Sequence, residues 1–74
     1  MLYGFYVIYK IVQYIRAKNM ILEYLEINGT IKNAKIRELC GFTKQQARST
    51  IDKMIEEVLI FRVGAGSATE YKLK

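Results

Sequence analysis

Hydrophobic residues between positions 43 and 58 recur at steps of three and four, the spacing of one face of an α-helix. The residues on this face are Ala47, Ile51, Met54, Ile55 and Val58. Thr43 and Gln46 form a capping box at its start, in which each side chain accepts a hydrogen bond from the other residue's backbone amide. The pattern therefore predicts a helix over 43–58 with one face packed on a core.

A shorter helical pattern precedes this helix. Over 34–40 the spacing turns Ile36 and Leu39 inward, and Asn33 is predicted to cap the first turn. Gly41 then provides a tight bend before the long helix begins. A short helix, a turn containing glycine and a longer helix in succession predict a helix-turn-helix.

The periodicity changes after residue 58. Segments 59–63 and 69–74 are typical of strands, and the glycine-rich segment 64–68 joins them as a hairpin loop. Residues 30–31 form a short extended piece that can pair with this hairpin. The predicted class is α+β, mainly α: a winged helix-turn-helix of three core helices and a C-terminal β-hairpin wing, with an extra N-terminal apolar helix.

The N-terminal segment 2–15 is rich in tyrosine and aliphatic residues. It is shorter than the ~20 apolar residues that cross a bilayer, so no membrane span is predicted. Arg16 and Lys18 follow the apolar run, whereas a secretory signal carries its positive charge before it. We predict an N-terminal helix over 1–18 and a winged-helix domain over 19–74. A new helix begins at Asn19, or the first one continues.

The N-terminal helix is apolar over much of its circumference, so its second side is expected to be buried against another protein surface. One interpretation is a homodimer through one side of the helix, formed by Tyr3, Tyr6, Val7, Ile11 and Tyr14. The other is an element that packs on a neighbouring domain of a longer protein. The residues favour neither interpretation over the other.

The amino-acid composition limits the classes of function that the chain can have. The 74 residues are 51% hydrophobic, which indicates one globular domain, and 12 basic against 7 acidic residues give a net charge of +5, which favours polyanions. With no histidine and Cys40 alone, the chain lacks a disulfide, a Cys/His zinc site and a histidine base. We therefore expect no metal, no cofactor and no enzymatic activity, a cytoplasmic location, and a packing role for Cys40.

Residues 31–73 resemble the winged helix at the C-terminus of Fic-family proteins and RecG-like transcriptional regulators. The stretch ELCGFTKQQARSTIDKMIEE, the G-x-G of the loop and the final EYKL carry this resemblance. It implies a winged-helix fold and a regulatory role. Val58 stands where the family has a helix-ending glycine, so the helix is expected to end differently or to run on. Ser67 stands where the family has a wing-tip arginine, which implies a weak wing contact.

The leading hypothesis is a transcriptional regulator that binds double-stranded DNA and reads the major groove with helix 43–58. Glutamine suits adenine and arginine suits guanine by bidentate geometry, while lysines neutralise phosphates. The predicted DNA contacts are Thr43, Lys44, Gln45, Gln46, Arg48, Ser49, Lys53, Lys32, Lys35 and Arg62. The alternative is a protein-interaction or dimerisation module that does not bind DNA.

Overall fold

One long helix, α1, spans Leu2–Asn28. This computed structural model describes the backbone of residues 2–74 and the side chains of residues 7–74. A helix of 27 residues is about 40 Å long, close to the 43 Å longest dimension of the molecule. The helix runs through Asn19 without a break, so the predicted boundary between 1–18 and 19–74 falls inside it. The extra N-terminal helix and the first core helix are therefore one element.

The helix-turn-helix consists of α2, Asn33–Cys40, and α3, Lys44–Glu56. Gly41 links them in the left-handed conformation, with φ of 67°. The predicted capping box of Thr43 and Gln46 is present, with hydrogen bonds of 2.9 and 3.2 Å. The first turn of α3 is therefore held by its own side chains, as the sequence predicts.

The predicted cap of α2 is wrong. Lys32, not Asn33, occupies the cap position, and its side chain makes no capping bond. Asn33 is already helical, and its buried Oδ1 has no hydrogen-bond partner among the described residues. The reason is that Ile31 exchanges two backbone hydrogen bonds with Tyr71, of 3.0 and 2.9 Å, which fixes where the extended chain ends.

The end of α3 also differs from prediction, because the helix stops at Glu56 and Val58 lies outside its packed face, 61% exposed. Val58 adopts φ of 62°, the left-handed conformation that glycine favours. Its amide bonds the Ile55 carbonyl at 2.9 Å, and the Leu59 amide bonds the Met54 carbonyl at 3.0 Å. These two bonds form a Schellman motif, so the helix ends as a glycine-terminated helix does.

The wing is an antiparallel hairpin of β1, Ile60–Val63, and β2, Glu70–Leu73. Its loop contains one 3-10 turn, Gly66–Ala68. Gly64 has φ of 82°, and a Cβ there would lie 2.6 Å from the Ala68 carbonyl oxygen, so this loop requires glycine. The hairpin and the Ile31–Tyr71 bridge confirm the predicted winged-helix arrangement of three helices and a two-stranded wing.

The core joins the second half of α1 to the other elements. It contains Ile21, Leu25, Ile31, Ile36, Ala47, Ile51, Met54, Ile60 and Tyr71. The predicted packed face of α3 is confirmed at Ala47, Ile51 and Met54, and Ile55 is half-buried. No helix in the described part of the chain is both long and apolar enough to span a bilayer. The first half of α1 extends beyond this core.

Candidate nucleic-acid interface

The outer side of α3 presents an exposed polar face between its first residue and Asp52, formed by Lys44, Gln45, Arg48, Ser49 and Asp52. Within the described residues, none of these five side chains forms a hydrogen bond or an ion pair. Arg48 and Asp52 are four residues apart, yet they do not pair. Four of the predicted DNA contacts are therefore together on one surface, with their donors available.

Two other predicted contacts have structural roles. The Gln46 side-chain oxygen accepts a hydrogen bond from the Thr43 amide, and Thr43 Oγ1 accepts one from the Gln46 amide. Thr50, a buried polar residue that the sequence did not single out, donates to the Gln46 carbonyl at 3.0 Å. Only the amide nitrogen of the Gln46 side chain remains available to a ligand.

Lys53 lies in a cluster that links α3 to α1. The Tyr14 hydroxyl donates to Glu57 Oε2 at 2.7 Å, and Lys18 Nζ lies 3.5 Å from Glu57 Oε1. Lys53 Nζ lies 5.0 Å from the centre of the Tyr14 ring, within cation–π range. No local sequence pattern signals this cluster, because Tyr14 and Glu57 are 43 positions apart.

The cluster shifts the ionisation of both of its acidic groups. Burial and the hydrogen bond to Glu57 raise the pKa of Tyr14 above its ordinary value. The same hydrogen bond and the charge of Lys18 lower the pKa of Glu57. Tyr14 is thus kept neutral and Glu57 is kept charged, which maintains the link between α1 and α3.

The three basic residues predicted outside α3 differ in their surroundings. Lys35 lies 3.5 Å from Glu38 and 5.8 Å from the centre of the Tyr24 ring, so its charge is partly engaged. Lys32, at the start of α2, and Arg62, on β1, are exposed and form no ion pair with a described residue. Lys32 and Arg62 are therefore more available to phosphate than Lys35 is.

A groove of about 420 Å³ separates α1 from α3, and we call it the α1–α3 groove. Its α1 wall is formed by Lys10, Gln13 and Tyr14, and its α3 wall by Gln45, Gln46, Ser49 and Lys53. Sequence reasoning missed Lys10 and Gln13, which lie in a segment interpreted as apolar. The packing of α1 beside α3, and no local sequence pattern, gives this side of α1 its position in the groove.

The opposite side of α1 carries an apolar stripe of Ile8, Ile11, Val12 and Ile15, each 43–59% exposed. Of the predicted dimer surface, Tyr14 turns toward the body and bonds Glu57, so it is not part of this stripe, and the homodimer itself stays a prediction. Val7 and Ile11 remain exposed, while Tyr3 and Tyr6 lie outside the side chains that the structure describes. Cys40 is partly buried against the core, and burial raises the pKa of its thiol.

Comparisons with known proteins identify the domain. The crystal structure of the DIP2311 protein from Corynebacterium diphtheriae shares the fold, with a TM-score of 0.78 and 21% identity over 82% of this chain and 11% of that one. No curated protein sequence matches the chain. A family model described as the C-terminal domain of the DIP2311-like transcriptional regulator matches residues 15–74. Since this match spans most of the sequence, the chain belongs to the family of DIP2311-like transcriptional regulator C-terminal domains.

Proposed function

We propose that the chain binds double-stranded DNA and reads the major groove with α3. The observation that supports this function is the exposed face at the start of α3, where Lys44, Gln45, Arg48 and Ser49 have no partners among the described residues. Side chains that bind nothing within the protein keep their donors for a ligand. A helix with donors in its first turns suits the base edges of the major groove.

The distribution of charge along α3 indicates which end of this helix enters the DNA groove. Lys44 and Arg48 lie in the first half of α3, whereas Glu56 and Glu57 lie at its end, where phosphate would repel them. The backbone amides and the positive dipole of the α3 N-terminus favour an approaching phosphate beside Thr43. Lys32 and Arg62 supply further phosphate contacts, and Gln45 and Arg48 read bases.

The DNA-binding role includes three related inferences. The chain acts as a cytoplasmic transcriptional regulator of the RecG-like kind that its sequence resembles. It acts by binding and not by catalysis, because the chain has no histidine and most of its carboxylates lie on exposed helix faces. Of the ten predicted contacts, Thr43 and Gln46 serve first to cap α3, and Lys35 and Lys53 are secondary contacts.

Salt-dependent DNA binding tests this function. Fluorescence anisotropy with a labelled random duplex should show binding whose affinity falls steeply with salt. If Lys32, Lys44 and Arg62 each neutralise one phosphate, the slope of log K against log salt is roughly −3. A duplex selected from a random library should bind more tightly than the random one. Absence of binding at low salt would refute the DNA-binding function.

The apolar stripe favours a second candidate function, dimerisation without DNA binding. Ile8, Ile11, Val12 and Ile15 follow the spacing that packs one helix against another, so we propose a second copy of this chain as the partner. Light scattering should give twice the mass of one chain, and Ile11→Glu should return it to one. A wild-type mass of one chain up to millimolar concentration would exclude the dimer.

A further inference from the structure

The α1 wall of the α1–α3 groove has no role in base reading by α3. Lys10 and Gln13 belong to this wall together with Tyr14, and they face Gln45, Ser49 and Lys53 of α3. Gln45 and Ser49 also belong to the exposed face proposed to meet DNA. The groove therefore opens directly beside the surface that would enter the duplex.

The residues that line the groove are chemically suited to an oxyanion. Among the described residues, the lining includes two lysines, three glutamine amides and the hydroxyls of Thr43 and Ser49, and none of these lining residues is a carboxylate. Glu57 is close to Tyr14, but its two oxygens are engaged by the Tyr14 hydroxyl and by Lys18. A phosphate in the groove would meet cations and donors without a free carboxylate opposite it.

The dimensions of DNA indicate which phosphates these would be. The major groove is about 12 Å wide, and a helix with its side chains is about 10–12 Å across, so only one helix fits. If α3 occupies the major groove with Gln45 and Ser49 toward the bases, the groove that these residues share with Lys10 and Gln13 opens toward one of the sugar–phosphate strands that border it. The groove between the two helices then lies over that strand.

We propose that the α1–α3 groove binds the sugar–phosphate strand beside the major groove, with Lys10 and Gln13 as phosphate contacts from α1. This proposal depends on the DNA-binding function proposed above. Both residues precede the 15–74 segment that matches the family model, so they add a contact outside the matched domain. The first half of α1 thus makes a second contact with the DNA, besides that of α3. We call this contact of Lys10 and Gln13 the clamp.

Paired charge-removing variants test the clamp. Lys10→Gln should weaken binding to selected and random duplexes by the same factor and should reduce the salt slope by about 0.9, the contribution of one phosphate. Arg16→Gln is the matched control, because it removes one positive charge from the same helix at a residue that lines a different groove, between Met20 of α1 and Cys40 of α2. This control should leave the slope within about 0.3 of the wild-type value.

Uncharged phosphate analogues in the DNA show which phosphate Lys10 contacts. In a selected duplex, methylphosphonate replacements along the strand should reproduce the Lys10→Gln loss at one or two positions, and Lys10→Gln should cause no further loss there. Equal slopes for wild type, Lys10→Gln and Arg16→Gln would overturn the clamp, as would equal losses in the two variants. DNA binding that remains sensitive to Arg48→Ala would then show that only the clamp had failed, whereas no wild-type binding refutes both proposals.

Discussion

The Tyr14 hydroxyl donates a 2.7 Å hydrogen bond to Glu57 Oε2 and so connects the middle of α1 to the end of α3. Lys18, one turn along α1, lies 3.5 Å from the other oxygen of the same carboxylate. Glu57 is the C-cap residue of α3, so two residues of α1 hold the end of that helix. This contact adds a second attachment between α1 and the proposed DNA-reading helix, besides the core packing of Ile21 and Leu25.

The Tyr14–Glu57 contact should depend on pH. Its hydrogen bond lowers the folded-state pKa of Glu57 below the ordinary 4.5, so the stabilisation is present above pH 4.5 and is lost as the pH falls through the folded value. Tyr14→Phe should therefore lower the melting temperature most near pH 7, and the difference from wild type should shrink in acid. Thermal unfolding followed by circular dichroism between pH 7 and pH 3 measures this.

Tyr9→Phe is the control for that comparison, because Tyr9 is 64% exposed and forms no hydrogen bond within the described residues. It should change neither the melting temperature nor its pH dependence. A constant difference between Tyr14→Phe and wild type across the whole pH range would contradict the proposed role of Glu57.

Val58→Gly should stabilise the protein. A β-branched residue at φ of 62° costs roughly 1–2 kcal/mol, and Val58 is 61% exposed, so little packing is lost with the side chain. After the entropy cost of glycine, a gain of ~1 kcal/mol is expected, or about 4–8 °C in melting temperature. Val58→Ala, which keeps the Cβ, should gain less. A lower melting temperature for the glycine variant would show that Val58 makes unrecognised contacts.

Arg48→Ala should relax base preference. Loss of a bidentate arginine contact weakens binding to a selected duplex by ~1–3 kcal/mol and removes discrimination at one base pair. Lys44→Ala, a phosphate contact on the same exposed face, should weaken all duplexes alike. Binding titrations with single base-pair substitutions measure both effects. Equal losses for the two variants on every duplex would show that Arg48 contacts the backbone and not a base.

Thr43→Ala should destabilise α3 by about 1 kcal/mol, because it leaves an amide of the first turn without its side-chain acceptor. Thr43→Ser keeps the hydroxyl and should remain within about 0.5 kcal/mol of wild type. Urea unfolding of the two variants and the wild type measures the difference. If serine and alanine were equally destabilising, the Thr43 methyl group and not its hydroxyl would be responsible.

Local sequence patterns predicted the elements that local forces determine. The capping box at Thr43 and the packed residues Ala47, Ile51 and Met54 depend on spacing within one helix, and the structure confirms them. The errors occur where distant contacts decide the outcome. Asn33 fails as a cap because the Ile31–Tyr71 bridge fixes the chain just before it.

The candidate site shows the same division between local and distant contacts. The exposed face around Arg48 follows from helical spacing alone, whereas Lys10 and Gln13 acquire a role only because α1 packs beside α3. Tyr14 was predicted on a dimer surface because its helical position allowed it. Its bond to Glu57, 43 positions away, redirects it.

The continuity of α1 gives this domain the properties of a rigid lever. The helix is anchored in the core at Ile21 and Leu25 and carries the apolar stripe at its other end. A partner bound to the stripe therefore takes a fixed orientation relative to α3. Each residue inserted between Ile15 and Ile21 would rotate that partner by about 100° around the helix axis and move it by about 1.5 Å along the axis. The length of α1 therefore determines both the orientation of a bound partner relative to α3 and its distance from α3.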